Sequence, residues 1–164
     1  MRPGAAAALL FCGFAVALAA LFLARGVLGA DAPDPGPPDF ARLVRLASAD
    51  DALICPRSLC LRARADLTPP IFTESAWRLR EKLLAYARAT PLTDEIRVKR
   101  DPARLRFIQR FSTFGQPLYI DILLAARSED AATVAMYARG AAPNSFDHAS
   151  DLARLRAWLD ALSD

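Results

Sequence analysis

The chain has 164 residues, 54% of them apolar and 24% charged, with a formal net charge of +3, and that length holds one domain. Arg2 and Arg25 lie near the N-terminus, which leaves 19 basic against 18 acidic side chains in the rest, a net of +1, so no nucleic-acid-binding charge excess remains. One histidine, three cysteines and seven glycines leave little material for a metal site or a phosphate-cradling loop, and the sequence implies no cofactor.

The first element is Ala5 to Ala24, a run without charge or proline. At about 1.5 Å per residue it spans roughly 30 Å, the hydrocarbon thickness of a bilayer. Residues 1–30 are therefore expected to form an uncleaved signal-anchor, a single-pass span in the inner membrane. A cleaved signal ending near Val27-Leu28-Gly29 and a buried core helix are the alternatives. Cys12 follows Phe11 and lacks the small residue that precedes a lipidated cysteine. Arg2 and the α-amino group precede the run; Arg25 follows it, then Asp31, Asp34 and Asp39 before Arg42. The positive-inside rule leans towards a cytoplasmic N-terminus and a periplasmic C-terminal domain. Nineteen arginines against two lysines and an excess of alanine suit a GC-rich bacterial genome and carry no functional information.

Residues 31–39, "DAPDPGPPD", favour extended polyproline II and read as a semi-rigid stalk of ~28 Å. Residues 40–164 are the expected domain, with a short helix starting at Phe40. A stronger helix starts at Thr73, with Thr73 as cap and Phe72 and Trp77 as a hydrophobic staple. Ala76, Leu79, Leu83 and Ala87 line one face, beside Leu84, and Pro91 stops the helix.

Four strand-like runs follow: "EIRVKR", "RLRFIQRF", "LYIDILLA" and "ATVAMYAR", with short turns making hairpins of the first and last pairs. A closing helix over about Ser150 to Leu162, capped by Ser150 or Asp147, buries Leu152, Leu155, Leu159 and Leu162. The expected fold is α+β: an N-terminal transmembrane helix, then a four-stranded antiparallel sheet flanked by two helices, in the order helix, four strands, helix.

"LICPRSLC", "PPIF", "RFIQRFSTFGQP", "TVAMYARG" and "LARLRAWLDAL", in this order over roughly residues 50 to 162, resemble a widespread bacterial and plastid family, the domain of unknown function family 1499. The resemblance implies this fold and membrane association, and no chemistry. The family's polar segment after the last strand corresponds here to "ARGAAPNSFDHASDLARLR". Tyr137, Arg139, Asp147 and Arg154 are its counterparts, but glycines and an asparagine are missing and one residue is inserted. A site built from that segment would be altered in this chain.

The residues favour binding or scaffolding over catalysis. His148, beside Asp147, is the only histidine, with Ser145 and Ser150 as local nucleophile candidates and no "GxSxG" present. An envelope hydrolase or transferase using that loop is the rival reading. Cys55, Cys60 and His148 are too few for a structural zinc site. Five positions apart, Cys55 and Cys60 can meet only across a turn, which Pro56 permits. A disulfide staple suits an oxidising periplasm; reduced structural thiols and a redox pair are the alternatives.

One surface is singled out for a partner. With a turn at Asp101-Pro102, a register in which paired residue numbers sum to 203 puts Ile96, Val98, Leu105 and Phe107 on one face. It puts Arg97, Lys99, Arg104 and Arg106 on the other. Like charges opposed across a ladder repel and invite an anion, either anionic lipid or an acidic envelope polymer. The competing reading is a solvated face partly neutralised by Asp121.

Overall fold

The structure is a computed structural model; it describes residue 34 and residues 36–45, 50–98, 101–110, 117–140 and 147–163. The expected span at residues 1–30 lies outside them, and among the described residues no helix is long and apolar enough to cross a membrane.

In chain order the elements are β1 (Asp51–Ile54), α1 (Ala76–Ala89), β2 (Thr93–Glu95), β3 (Arg104–Gln109), β4 (Leu118–Ala126), β5 (Ala132–Gly140) and α2 (His148–Asp160). The strands form one antiparallel sheet in the order β1-β5-β4-β3-β2. This corrects the expected architecture: the sheet has five strands, not four. The added strand, β1, is short and buried along its whole length. Ala52 and Ile54 enter the core beneath the helices, while Leu53 enters a second core on the opposite face. A four-residue run buried on both faces has no alternating pattern to reveal it.

The helix-covered face is the larger core. Leu79, Leu83 and Ala87 of α1 and Leu155, Trp158 and Leu159 of α2 pack on Leu105, Phe107, Ile120, Ile122, Val134 and Met136. Trp158, 1% exposed, lies 4.7 Å from the Phe107 ring and edge-on to Tyr86 at 4.9 Å. The cap of α1 is Ser75 rather than Thr73, its side chain accepting from Arg78 N. Phe72 instead bridges to Ala132 and is buried, while Trp77 is 65% exposed, so the staple does not form. Asp147 is the cap of α2.

The register of the first hairpin also differs from expectation. Thr93 faces Gln109, Asp94 faces Ile108 and Glu95 faces Phe107, one residue away from the expected pairing. Because β2 ends at Glu95, the slip does not drag Arg97 into the core; Arg97 is exposed.

Candidate functional site

The second face of the sheet carries the unusual chemistry. Strand alternation places Arg104 and Arg106 of β3, Tyr119 and Asp121 of β4, Tyr137 and Arg139 of β5, and Asp51 of β1 on this side. Register sets them in two rows: Arg106, Asp121, Tyr137 and Leu53 in one, Ile108, Tyr119, Arg139 and Asp51 in the next. Cations stack on rings: Arg106 lies 4.9 Å over Tyr119, its diagonal neighbour on β4, and Arg139 5.6 Å over Tyr137, two residues back on its own strand.

The described residues of the proline-rich stretch lie across this face. Arg106 Nη2 donates to Asp34 Oδ1 at 2.5 Å, Arg139 Nη2 to the Gly36 carbonyl, and Arg104 Nη1 to the Pro38 carbonyl at 2.6 Å. The carbonyls of Gly36 and Pro38 thus take their donors from guanidiniums of the sheet. Gly36 adopts φ +70°, a left-handed conformation that favours glycine. Phe40 then enters the second core beside Leu53, Cys55, Cys60, Ala135 and Tyr137.

At the centre sits Asp121, its side chain 3% exposed. Arg106 Nε is 3.3 Å from Oδ1 and Arg139 Nη2 3.6 Å from Oδ2, yet neither carboxylate oxygen accepts a well-aligned hydrogen bond. Burial pushes the Asp121 carboxyl up to about 6, against the opposing pull of Arg106 and Arg139.

A second ionic network joins β1, β5, α2 and the loop after β1. Arg45 donates through Nε to Asp51 Oδ1 at 2.7 Å and pairs through Nη1 with Asp66 Oδ2 at 2.9 Å. Tyr137 donates its hydroxyl to Asp51 Oδ2 at 2.5 Å, and burial with that bond pushes the phenol well above its usual range. His148 Nδ1 lies 2.7 Å from the Asp51 carbonyl, which only accepts, so Nδ1 carries the proton. His148 Nε2 lies 3.8 Å from Asp66 Oδ1. Asp147 accepts from the backbone and hydroxyl of Ser150, which hold its carboxyl below the usual range. Among the described residues no hydroxyl or thiol is hydrogen-bonded to His148, and no group of three or more potential ligands could hold a metal ion.

Cys55 and Cys60 are disulfide-bonded, both nearly inaccessible, with Cα atoms 6.2 Å apart. The Pro56 carbonyl accepts from Leu59 N at 2.9 Å and Cys60 N at 3.3 Å, the turn that lets the sulfurs meet.

The sequence-derived candidates are thus dispersed. Of the four cations in the first hairpin, Arg97 is exposed, Lys99 lies outside the described residues, Arg104 is bonded to Asp101 and Pro38, and Arg106 is buried against Asp34 and Asp121. Tyr137 and Arg139 meet on the second face, whereas Asp147 caps α2 and Arg154 bonds Asp151 within that helix. Asp34, Arg45, Asp51 and Asp66 carry the networks without a motif to announce them. The signal for Asp121 was present: a lone charge in the apolar run "LYIDILLA". No family model, curated protein or solved structure matches the chain in comparisons with known proteins.

Proposed function

We propose that the domain is a non-catalytic binding module of the cell envelope, facing an oxidising compartment. The observation that carries this reading is the engagement of the one histidine and its neighbours. His148 fastens α2 to the β1 backbone through Asp51, and Asp147 and Ser150 are bonded to each other at the helix start. An acid–base catalyst needs its base within reach of a nucleophile or substrate proton; among the described residues no nucleophile stands beside His148 Nε2, whose charged neighbour is Asp66 at 3.8 Å. Two further features support the location. The buried Cys55–Cys60 bond fits an oxidising environment, and the apolar run from Ala5 to Ala24 fits export. The order of motifs shared with family 1499 agrees with an envelope role and adds no chemistry.

The test is His148→Asn, which keeps a donor near the Nδ1 position and removes the Nε2 base. Wild type and variant are assayed on carboxylic esters, phosphoesters and glycosides. The reading predicts no turnover that depends on His148. Turnover present in wild type and lost in a folded His148→Asn variant would establish the envelope hydrolase or transferase instead.

A further inference from the structure

The arginines of the sheet are bonded to carboxylates or carbonyls of their own chain, but three others are not. Arg57, Arg62 and Arg64 are exposed on the segment that the disulfide closes and continues, around a cavity of about 400 Å³ also lined by Leu61, Ala63 and Thr68. Among the described residues no carboxylate lies on any of the three guanidiniums. The one acid in this stretch, Asp66, is turned away from them. Its Oδ2 accepts from Leu53 N at 2.8 Å and pairs with Arg45 at 2.9 Å. The rim is fixed from several sides: by the Cys55–Cys60 bond, by Arg45 Nη1 donating to the Arg64 carbonyl at 2.8 Å, and by Arg127 Nη2 donating to Ser58 Oγ at 2.7 Å. Leu61 stands at the same rim and is 71% exposed.

Arg57, Arg62 and Arg64 line one hollow, with no carboxylate of the described residues on them, so the hollow suits an anion, and their planar forks match phosphate oxygens in pairs. Leu61, exposed at the same rim, offers an apolar contact that an acyl chain can take and an inorganic anion cannot. We infer that this pocket binds the phosphate headgroup of an anionic membrane lipid, with Leu61 against the start of its acyl chains. The inference rests on the envelope reading above, which sets the pocket beside a bilayer. Each cation near an anionic surface strengthens attachment, and the attraction weakens as salt rises.

The full chain in neutral detergent is titrated with a short-chain phosphatidylglycerol and, separately, with inorganic phosphate. Arginine Nε–H resonances give the readout. Arg57, Arg62 and Arg64 are expected to shift, with the lipid binding at least about tenfold tighter than inorganic phosphate because of the leucine contact. Leu61→Ser should bring the two affinities together, and the triple Arg57→Gln, Arg62→Gln, Arg64→Gln variant should abolish both. Arg97→Gln, an exposed cation elsewhere, should change neither. Equal affinity for the two probes in wild type overturns the lipid assignment. Retention of lipid binding by the triple variant, or no shift at these arginines, overturns the pocket altogether. A pocket that binds lipid in a protein whose cysteines are reduced in its native compartment would sink the envelope reading and leave the pocket standing; the reverse result would do the opposite.

Discussion

Asp121→Asn sets two physical effects against each other. Removing one partner of a buried ion pair normally destabilises by about 3–5 kcal/mol, because the other charge is stranded. Here Arg106 Nε, Arg139 Nε and both carboxylate oxygens are buried without an aligned partner, but each arginine keeps a second partner and the carboxylate has none. Both its oxygens lack aligned donors, while Arg106 retains Asp34 Oδ1 at 2.5 Å and Arg139 retains the Gly36 carbonyl. Raising its carboxyl from 3.8 to about 6 corresponds to about 3 kcal/mol favouring the neutral form in the folded state. With the folded value above the unfolded one, this stability is fully present below about pH 4, declines through about pH 6 and is absent above. Asp151, wholly buried with Oδ2 unpartnered, is pushed up to about 6 by burial against Arg154 and declines over the same window. Urea unfolding of the full chain in neutral detergent, with the disulfide intact, should therefore show wild type losing stability between about pH 4 and about pH 8. Asparagine mimics the neutral acid, so Asp121→Asn should flatten that loss by about half and be the more stable protein at about pH 8. A variant weaker than wild type by about 3 kcal/mol at high pH, with wild type insensitive to pH, would show that the arginines hold Asp121 ionised and refute the reasoning.

Arg45→Gln should destabilise by about 2–3 kcal/mol in the same assay, because Asp51 and Asp66 lose their shared cation and keep the Tyr137 hydroxyl and the Leu53 N–H as hydrogen-bond donors. An effect under about 1 kcal/mol would show that the network is solvated. Trp158→Ala should cost about 3–5 kcal/mol through the cavity left between Tyr86 and Phe107, read as a lower urea midpoint with unchanged slope.

The legible part of this fold was the part with strong periodicity. The buried face of α1 and the leucines of α2 declare themselves by spacing, and β4 and β5 by length, as nine-residue strands rich in apolar residues. Local chemistry also located the disulfide, since Pro56 and the five-residue separation leave a turn as the one route for the sulfurs. What escaped depends on distant partners. β1 is four residues long and becomes a strand by pairing with β5, more than eighty positions away. The expected register balanced hydrophobic faces within one hairpin, but β2 pairs one residue away from it, while β3 keeps its expected faces and sets Arg106 opposite Asp121 of β4. Proline-rich composition reads as a stalk at residues 31–39 and could not announce the arginines that bond Asp34, Gly36 and Pro38 to the sheet. Asp34 and Arg106 are seventy-two positions apart, and nothing in either local sequence marks the other.

The thiol state of the protein in its native compartment tests the central claim most directly. Cells are quenched with an alkylating agent, and the protein is digested without reduction and weighed by mass spectrometry. An envelope module facing an oxidising compartment predicts a peptide with Cys55 linked to Cys60 and no alkylation at either. Two alkylated thiols in otherwise folded protein would contradict it.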